Sequence, residues 1–524
     1  MIDVHTHNSV NLDDYTCPSK EQRLGSINAY HGNVSELFKE NDKGSLPLHH
    51  RKFQQTENCL LMQTANRILS IRDATVIVHG PIGCSRPLSG YREIFLNIPE
   101  SLGRPHHVDL NWLSTNLTEN DVVFGGVEKL KAAILEAERR YSPKAIFVIT
   151  TCTSGVIGDD IEGTVNSVKD QVGATIVPIH CESFRSQVSQ TAFDAMAHGV
   201  VKYLVKSPGK IQKDLVAIPA PFSFTWRDRI ETNRLLGKLG LRVVYIPDFA
   251  TVEDLERLSE AAVVAPTCRS YGDYWQRALH EKYDVPYFRG PIPIGIKNTQ
   301  EWLRQIAKFT SKEKEVEVVI KEELEAIEPE LKALKDRLKD KDASILVSAG
   351  QPRITFTPRL AHELGIKVKA VQALELDPIM VDELKDVYED IGEFEIHVSN
   401  WQPFELAHMD DRLKPGLHTA CPMMGLFRRS GGIVRNHSFR SDFSDPAGQL
   451  GFRGIINYGY LLLRALNNPS MCNGLNRNVK KPYKDWWYKQ KDMFHYTKET
   501  GDRVTHGPGI RPEDIKHKAI GEVI

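Results

Sequence analysis

Several things are missing from this 524-residue sequence, and each absence excludes a class of protein. There is no net charge to speak of: the formal balance is −1. An electrostatic footprint for nucleic acid or an anionic membrane is therefore lacking. No apolar run approaches the roughly 18 residues that a membrane-spanning helix needs. The start, Met1-Ile2-Asp3-Val4-His5-Thr6-His7, has no basic segment followed by an apolar one, so a secretory signal is not expected and a cytoplasmic location is. There is no Gly-x-x-x-x-Gly-Lys-Ser/Thr loop, so nucleotide hydrolysis is not expected of this chain. Cysteines number only 8 and none forms a Cys-x-x-Cys pair, which argues against a zinc knuckle or a thioredoxin-like motif. Spread over so long a chain they are not a disulfide framework either. Thiols that bind metal here must converge from distant parts of the fold.

The sequence has an ordinary globular balance, 41% hydrophobic and 26% charged, and length for several domain-sized cores. Short apolar, β-favouring runs alternate with helical patterns: 76–78, 145–150 and 174–179; then 215–218, 243–246 and 262–265; then 345–348, 368–371 and 394–398. Such alternation predicts parallel sheets with helices on both faces. Three sets predict three doubly wound α/β domains, over 51–212, 213–342 and 343–480. Residues 1–50 are polar and rich in Asn, His and Asp, and read as an extension that wraps a neighbour. The charged stretch 311–342 reads as one or two surface helices with a solvated face. The tail 481–524, with Trp486, Trp487 and Tyr488 among lysines, reads as packing on a partner subunit.

The chemistry centres on Val78-His79-Gly80-Pro81-Ile82-Gly83-Cys84, a strand running into a Gly/Pro turn with a thiol at its tip. Cys84, Cys152, Cys181 and Cys268 all fall near predicted strand ends, where open sheets bind ligands. Cys17 reads as structural. Thiolates are the usual iron–sulfur ligands, and a cluster held wholly by one chain usually takes four.

Cys59, His79 to Cys84, Ser114 to Gly126, Cys152-x-x-Gly155-x-Ile157-Gly158-Asp159-Asp160, and Cys268-Arg269-Ser270 followed by Glu281-Lys282-Tyr283 together resemble the motifs of nitrogenase α-type (D) subunits. The resemblance runs from about Cys59 to about Pro469. It implies three Rossmann-like domains of the nitrogenase component 1 type. It implies a P-cluster, [8Fe-7S], shared with a K (β-type) subunit, of which Cys59, Cys84 and Cys152 are this chain's share. It implies that Cys268 and His437 hold the two ends of a preassembled iron–sulfur cofactor. The assembly it implies is an α2β2 heterotetramer fed by an ATP-dependent [4Fe-4S] reductase, the H protein. Arg92 keeps the family's offset from the P-cluster Cys, and Arg353, in Gly350-Gln351-Pro352-Arg353, resembles another pocket arginine.

The departures carry specificity. Dinitrogen-reducing enzymes have a histidine four residues beyond the Gln of Val-Ser-Gln; here Gln190 is followed at that offset by Asp194. An imidazole exchanges protons near pH 7, whereas an Asp needs a raised pKa to do so. The lysine that stands sixteen residues before the cofactor histidine in the molybdenum enzyme is replaced by Cys421. A cofactor that is iron-only, [8Fe-9S-C], without homocitrate, is expected, with Cys421 a further candidate ligand. These substitutions resemble those of nitrogenase-like methylthio-alkane reductases, which cleave C–S bonds of small thioethers to methanethiol and a hydrocarbon. Asp194 is then the candidate acid, with Gln190, Arg92 and Arg353 beside it, and Met423, Met424 and Phe427 would line a softer pocket. A dinitrogen-reducing α subunit and a non-catalytic cofactor scaffold are the competing readings.

Overall fold

The computed structural model describes residues 10–27, 29–46, 59–90, 110–186, 188, 190–219, 226–341, 343–350, 353–399, 403–420, 436–439, 448–468 and 484–488. The first strand, β1 (Ala29–Asn33), is set aside for the last sheet. A first sheet follows from β2 (Ala74–His79), β3 (Asn111–Ser114), β4 (Ala145–Thr150) and β5 (Thr175–Ile179), in the order β3-β2-β4-β5 and wholly parallel. A second has β6 (Gln212–Pro219), β7 (Arg242–Ile246) and β8 (Ala261–Val264), in the order β7-β6-β8, also parallel. The third has β9 (Ser344–Ala349), β10 (Lys367–Ala373), β11 (Glu395–Ser399), β12 (Leu417–Ala420) and β13 (Asn436–Phe439). Its order is β1-β11-β10-β9-β12-β13, parallel throughout except for β1.

The central strands are buried on both faces. Every residue of β2 and of β4 is buried, which is why they read as unbroken apolar runs rather than alternating ones. Helices cover them: Leu60–Ile68 and Thr191–Tyr203 lie on one side of the first sheet, Val127–Tyr141 and Ile161–Val168 on the other. The three expected α/β units are therefore present.

The described part of the N-terminal extension packs on its own chain. Strand β1 pairs antiparallel with β11, register Ala29 to Ser399 through Asn33 to Glu395, and so closes an edge of the third sheet. Ahead of it, helix Lys20–Leu24 is held by a capping box between Ser19 and Gln22. The charged stretch forms one surface helix, Glu313–Lys339, with most of its charged residues on the solvated face, as expected. Val316, Val319, Ile320, Ile327, Leu334 and Leu338 make a buried stripe, and the helix packs on Gly451–Asn467. Most of the tail, 481–524, lies outside the described residues; Trp486, within 484–488, is exposed.

Candidate functional site: two groups of thiols

Each parallel strand that carries a candidate thiol ends in a tight connection, and the thiol sits just beyond it. Strand β2 runs through Gly80 and Pro81 into the short helix Ile82–Ser85, which holds Cys84. Strand β4 runs through Thr151, which caps helix Cys152–Ile157. Cys59 stands at the N-terminal boundary of helix Leu60–Ile68. Close approach of these pieces depends on glycine. A Cβ on Gly80 would lie 2.3 Å from Thr151 Cγ2, so only glycine lets the Cys84 turn press against the Cys152 turn. A Cβ on Gly155 would likewise lie 2.6 Å from Glu182 Cγ, beside the loop after β5.

That loop ties two thiols together. Ser183 Oγ lies 3.0 Å from Cys59 Sγ, and the Ser183 N–H donates to Cys152 Sγ at 3.3 Å. Cys84 completes the group: burial pushes its thiol up, and the nearby Cys59 and Cys152 push it further. A thiol raised in this way favours either a proton or a shared metal group. None is deeply buried, and Cys152 is exposed. Around them lies exposed apolar surface: Ile82 beside Cys84, Val156 on the Cys152 helix, Phe184 next to Ser183, and Val122, Val123 and Phe124 on a helix packed against that of Cys152. Cys181 is different. It is fully buried and its Sγ donates to the Thr150 carbonyl at 3.3 Å, a structural role.

The cradle holds its shape through His79. Its Nε2 meets Asp159 Oδ2 at 2.8 Å and its Nδ1 meets Thr115 Oγ1 at 3.2 Å. Asp159 also accepts from the Gly126 N–H at 2.9 Å, so the Cys84 turn, the Cys152 helix and the 119–126 segment form one connected unit.

Cys268 is remote in character from this trio. It is fully buried at the end of β8 and N-caps helix Arg269–Tyr283, accepting from the Tyr271 N–H at 3.3 Å. Burial raises its thiol strongly. Tyr271 organises the surroundings: Gln190 Nε2 donates to its Oη at 3.2 Å, and that hydroxyl donates to Glu375 Oε1 at 3.3 Å. A Cβ on Gly350 would lie 2.9 Å from the same hydroxyl, so the loop after β9 crosses here, three residues ahead of buried Arg353. Burial pushes the Glu375 carboxyl up to about 8. Gln190 Oε1 and Glu375 Oε2 are buried with no hydrogen-bond partner among the described residues. Unsatisfied polar oxygens around the Tyr271 hydroxyl fit a polar group seated on the side-chain side of the helix that Cys268 caps.

Asp194 is not free for proton transfer, contrary to the sequence expectation. It is fully buried; Oδ1 pairs with Lys20 Nζ at 3.2 Å and Oδ2 with Arg23 Nη2 at 2.8 Å. Arg23 also pairs with Asp273, and Lys20 Nζ donates to the Ser270 carbonyl at 2.6 Å. Both carboxylate oxygens are engaged by cations, so Asp194 anchors the N-terminal segment instead. His437 lies in β13, its backbone in register with His418 of β12. Arg92, Cys421, Met423, Met424 and Phe427 lie outside the described residues. Glu375 was missed at the sequence level. Its signal was a lone acid inside Val371-Gln372-Ala373-Leu374-Glu375-Leu376, at the end of a buried strand.

Residues 59–418 match the family model for nitrogenase component 1 type oxidoreductases. This chain belongs to that family. It is 26% identical over 452 residues to the nitrogenase molybdenum-iron protein alpha chain of Clostridium pasteurianum, covering 76% of this chain and 84% of the relative. It is 24% identical over 467 residues to the nitrogenase iron-molybdenum cofactor biosynthesis protein NifE of Methanococcus maripaludis, covering 86% and 92%. A solved structure, nitrogenase Cp1 at pH 6.5, shares the fold with a TM-score of 0.65 at 21% identity, covering 83% of this chain and 93% of that one. The family match begins at Cys59, so the N-terminal clamp on Asp194 lies outside it. No helix among the described residues is long and apolar enough to cross a membrane.

Proposed function

We propose that this chain is the catalytic α-type subunit of a nitrogenase-like reductase that cleaves a C–S bond of small methylthio-alkanes. The net change is reductive: one C–S bond gives one S–H and one C–H, consuming two electrons and two protons. Membership of the family and the gathering of Cys59 and Cys152 on Ser183, with Cys84 near both, support a redox role. In this reading those three thiolates are this chain's ligands to a P-type cluster, [8Fe-7S], shared with a K-type subunit across the exposed apolar rim. Cys268 and His437 are the ligands to a separate iron–sulfur cofactor, iron-only and without homocitrate, with Cys421 a third candidate. When bound, such groups supply low-potential electrons and soft iron and sulfide sites suited to a thioether. An α2β2 heterotetramer served by an ATP-dependent [4Fe-4S] reductase completes the system.

The chain's own residues have defined tasks. The Cys268 helix presents its sulfur, the candidate ligand, in a fully buried position. Tyr271 steadies it through its N–H and links it to Gln190 and Glu375. Glu375, raised to about 8, holds a proton at neutral pH and takes over the acid's role once assigned to Asp194. Arg353, which is buried, and Arg92 are the candidates to steady an anionic cluster or a small substrate.

The observation that favours a thioether over dinitrogen is Asp194. The position at which the resemblance places a proton-exchanging imidazole holds here a carboxylate locked by Lys20 and Arg23. The similarity to NifE over most of both chains favours a second reading, a scaffold on which a cofactor matures. One experiment separates them. The anaerobic complex is supplied with its reductase, ATP and a methylthio-alkane, and headspace products are followed. Methanethiol with the matching hydrocarbon is expected. Ammonia from dinitrogen as the main product overturns the reading, as does transfer of cluster to an apo-enzyme with no thioether turnover.

A further inference from the structure

The edge of the third sheet brings together three side chains of metal-ligating type, none of them a cysteine. Antiparallel pairing of β1 with β11 sets His31 directly opposite His397. Glu395, two residues before His397 on the same strand, points to the same face. The two imidazoles stack with centroids 4.2 Å apart. Both turn Nε2 toward one oxygen, Glu395 Oε1: His31 at 3.6 Å and His397 in closer contact. One ligand atom from each of the three residues falls within 4.8 Å of the others.

We infer that His31, Glu395 and His397 form a binding site for a divalent transition ion of the zinc type. Two imidazoles and a carboxylate are the donor set such ions take, with water completing the shell. Ligand atoms bound at about 2.1 Å in a tetrahedral shell stand about 3.4 Å apart. The His31 to Glu395 separation already matches, and His397 needs only to draw back slightly. His31 and Glu395 are each 17% exposed, which leaves a side open for entry and for water, while His397 is buried.

One group competes. Arg412, from helix Pro403–Leu413, also pairs with Glu395 Oε1. Its guanidinium is 29% exposed, free to swing into solvent. Ion and arginine are alternative counter-charges for the same carboxylate. Binding the ion exchanges one for the other, and clips β1 to the sheet by side chains from both strands. The segment that β1 anchors carries Lys20 and Arg23, which reach Ser270 and Asp273 of the helix that Cys268 caps.

The test is equilibrium dialysis of the purified holo-complex against zinc, followed by elemental analysis per chain. Native protein should retain one zinc more than the His31→Ala/His397→Ala double variant, which cancels any zinc held by thiols elsewhere. Arg412→Ala should tighten zinc binding about tenfold, because the competing charge is gone. Glu395→Gln should lose the ion while keeping its size. Equal zinc in native protein and double variant overturns the site. So does an Arg412→Ala protein that binds zinc no more tightly, a result that does not depend on how well the histidine variants fold.

Discussion

At the scale of single residues, Ser183 does more than fill space. It offers Cys59 a hydroxyl and Cys152 an N–H, and hydrogen bonds to ligating sulfurs stabilise the more reduced, more negative state of an iron–sulfur group. Ser183→Ala removes the hydroxyl and leaves the N–H. The loss of one such bond, about 1 kcal/mol, is about 40 mV for a one-electron couple. The midpoint potential of the cluster proposed at Cys59, Cys84 and Cys152 should fall by about that much in redox-titrated EPR. An unchanged or raised potential refutes the role. Glu375 gives a pH signature. Its carboxyl is raised to about 8 in the fold by burial, so the folded state keeps a proton that the unfolded state releases at its ordinary value. Its contribution to stability is thus fully present at acid pH and is lost as pH rises toward 8, at up to about 1.4 kcal/mol per pH unit. Glu375→Gln should flatten that decline in urea denaturation measured from pH 5 to 8. A slope identical to that of the native chain would place the titrating group elsewhere.

Among the elements, what the sequence made legible follows from burial. Strands β2, β4 and β9 are buried almost throughout, so apolar runs marked them, and helix Val127–Tyr141 showed its periodicity between a Gly-Gly start and a strand. Strand β1, Ala-Tyr-His-Gly-Asn, carries no such run, because an edge strand is paired on one side and half exposed. Its partner lies more than 350 residues away, a pairing that only the assembled sheet displays. The same distance hid the fate of Asp194, whose cations come from residues 20 and 23 across 171 positions or more. The thiol candidates were legible where their neighbours are local: a strand end precedes Cys84, Cys152 and Cys268, and a Gly-Pro turn leads into Cys84. The clamp makes its own prediction. Arg23→Met leaves Asp194 and Asp273 without their shared cation in a site where none of the three is meaningfully exposed. Breaking such a buried network typically costs about 3–5 kcal/mol. The denaturation midpoint should drop accordingly, and protection of helix Arg269–Tyr283 in hydrogen exchange should drop with it. A variant as stable as the native chain would mean that the N-terminal segment is ornament.

For the whole molecule, the asymmetry between the two thiol sites is the governing fact. One site is enclosed by this chain, with Cys268 fully buried; the other is open, with three thiols at the surface inside a rim of Ile82, Val156, Phe184 and Phe124. Large apolar side chains left exposed around a polar centre mark a surface built to be covered. Phe184 is the test position, since it is 60% exposed and adjoins Ser183. Phe184→Asp places a charge in the middle of the contact, where burial without a partner is costly. Mass photometry of the co-expressed subunits should then show the tetramer giving way to smaller species, and iron per chain should fall as the open site loses its cover. Val318→Asp, a charge placed on an equally exposed apolar residue of helix Glu313–Lys339, should leave assembly and iron intact. If both variants assemble alike, the rim is not the subunit contact, and the open thiols must be completed from within this chain's own remaining residues. If only Phe184→Asp falls apart and loses iron, the exposed trio is half of a site, and half a site at a surface explains why three thiols suffice where one chain alone usually needs four.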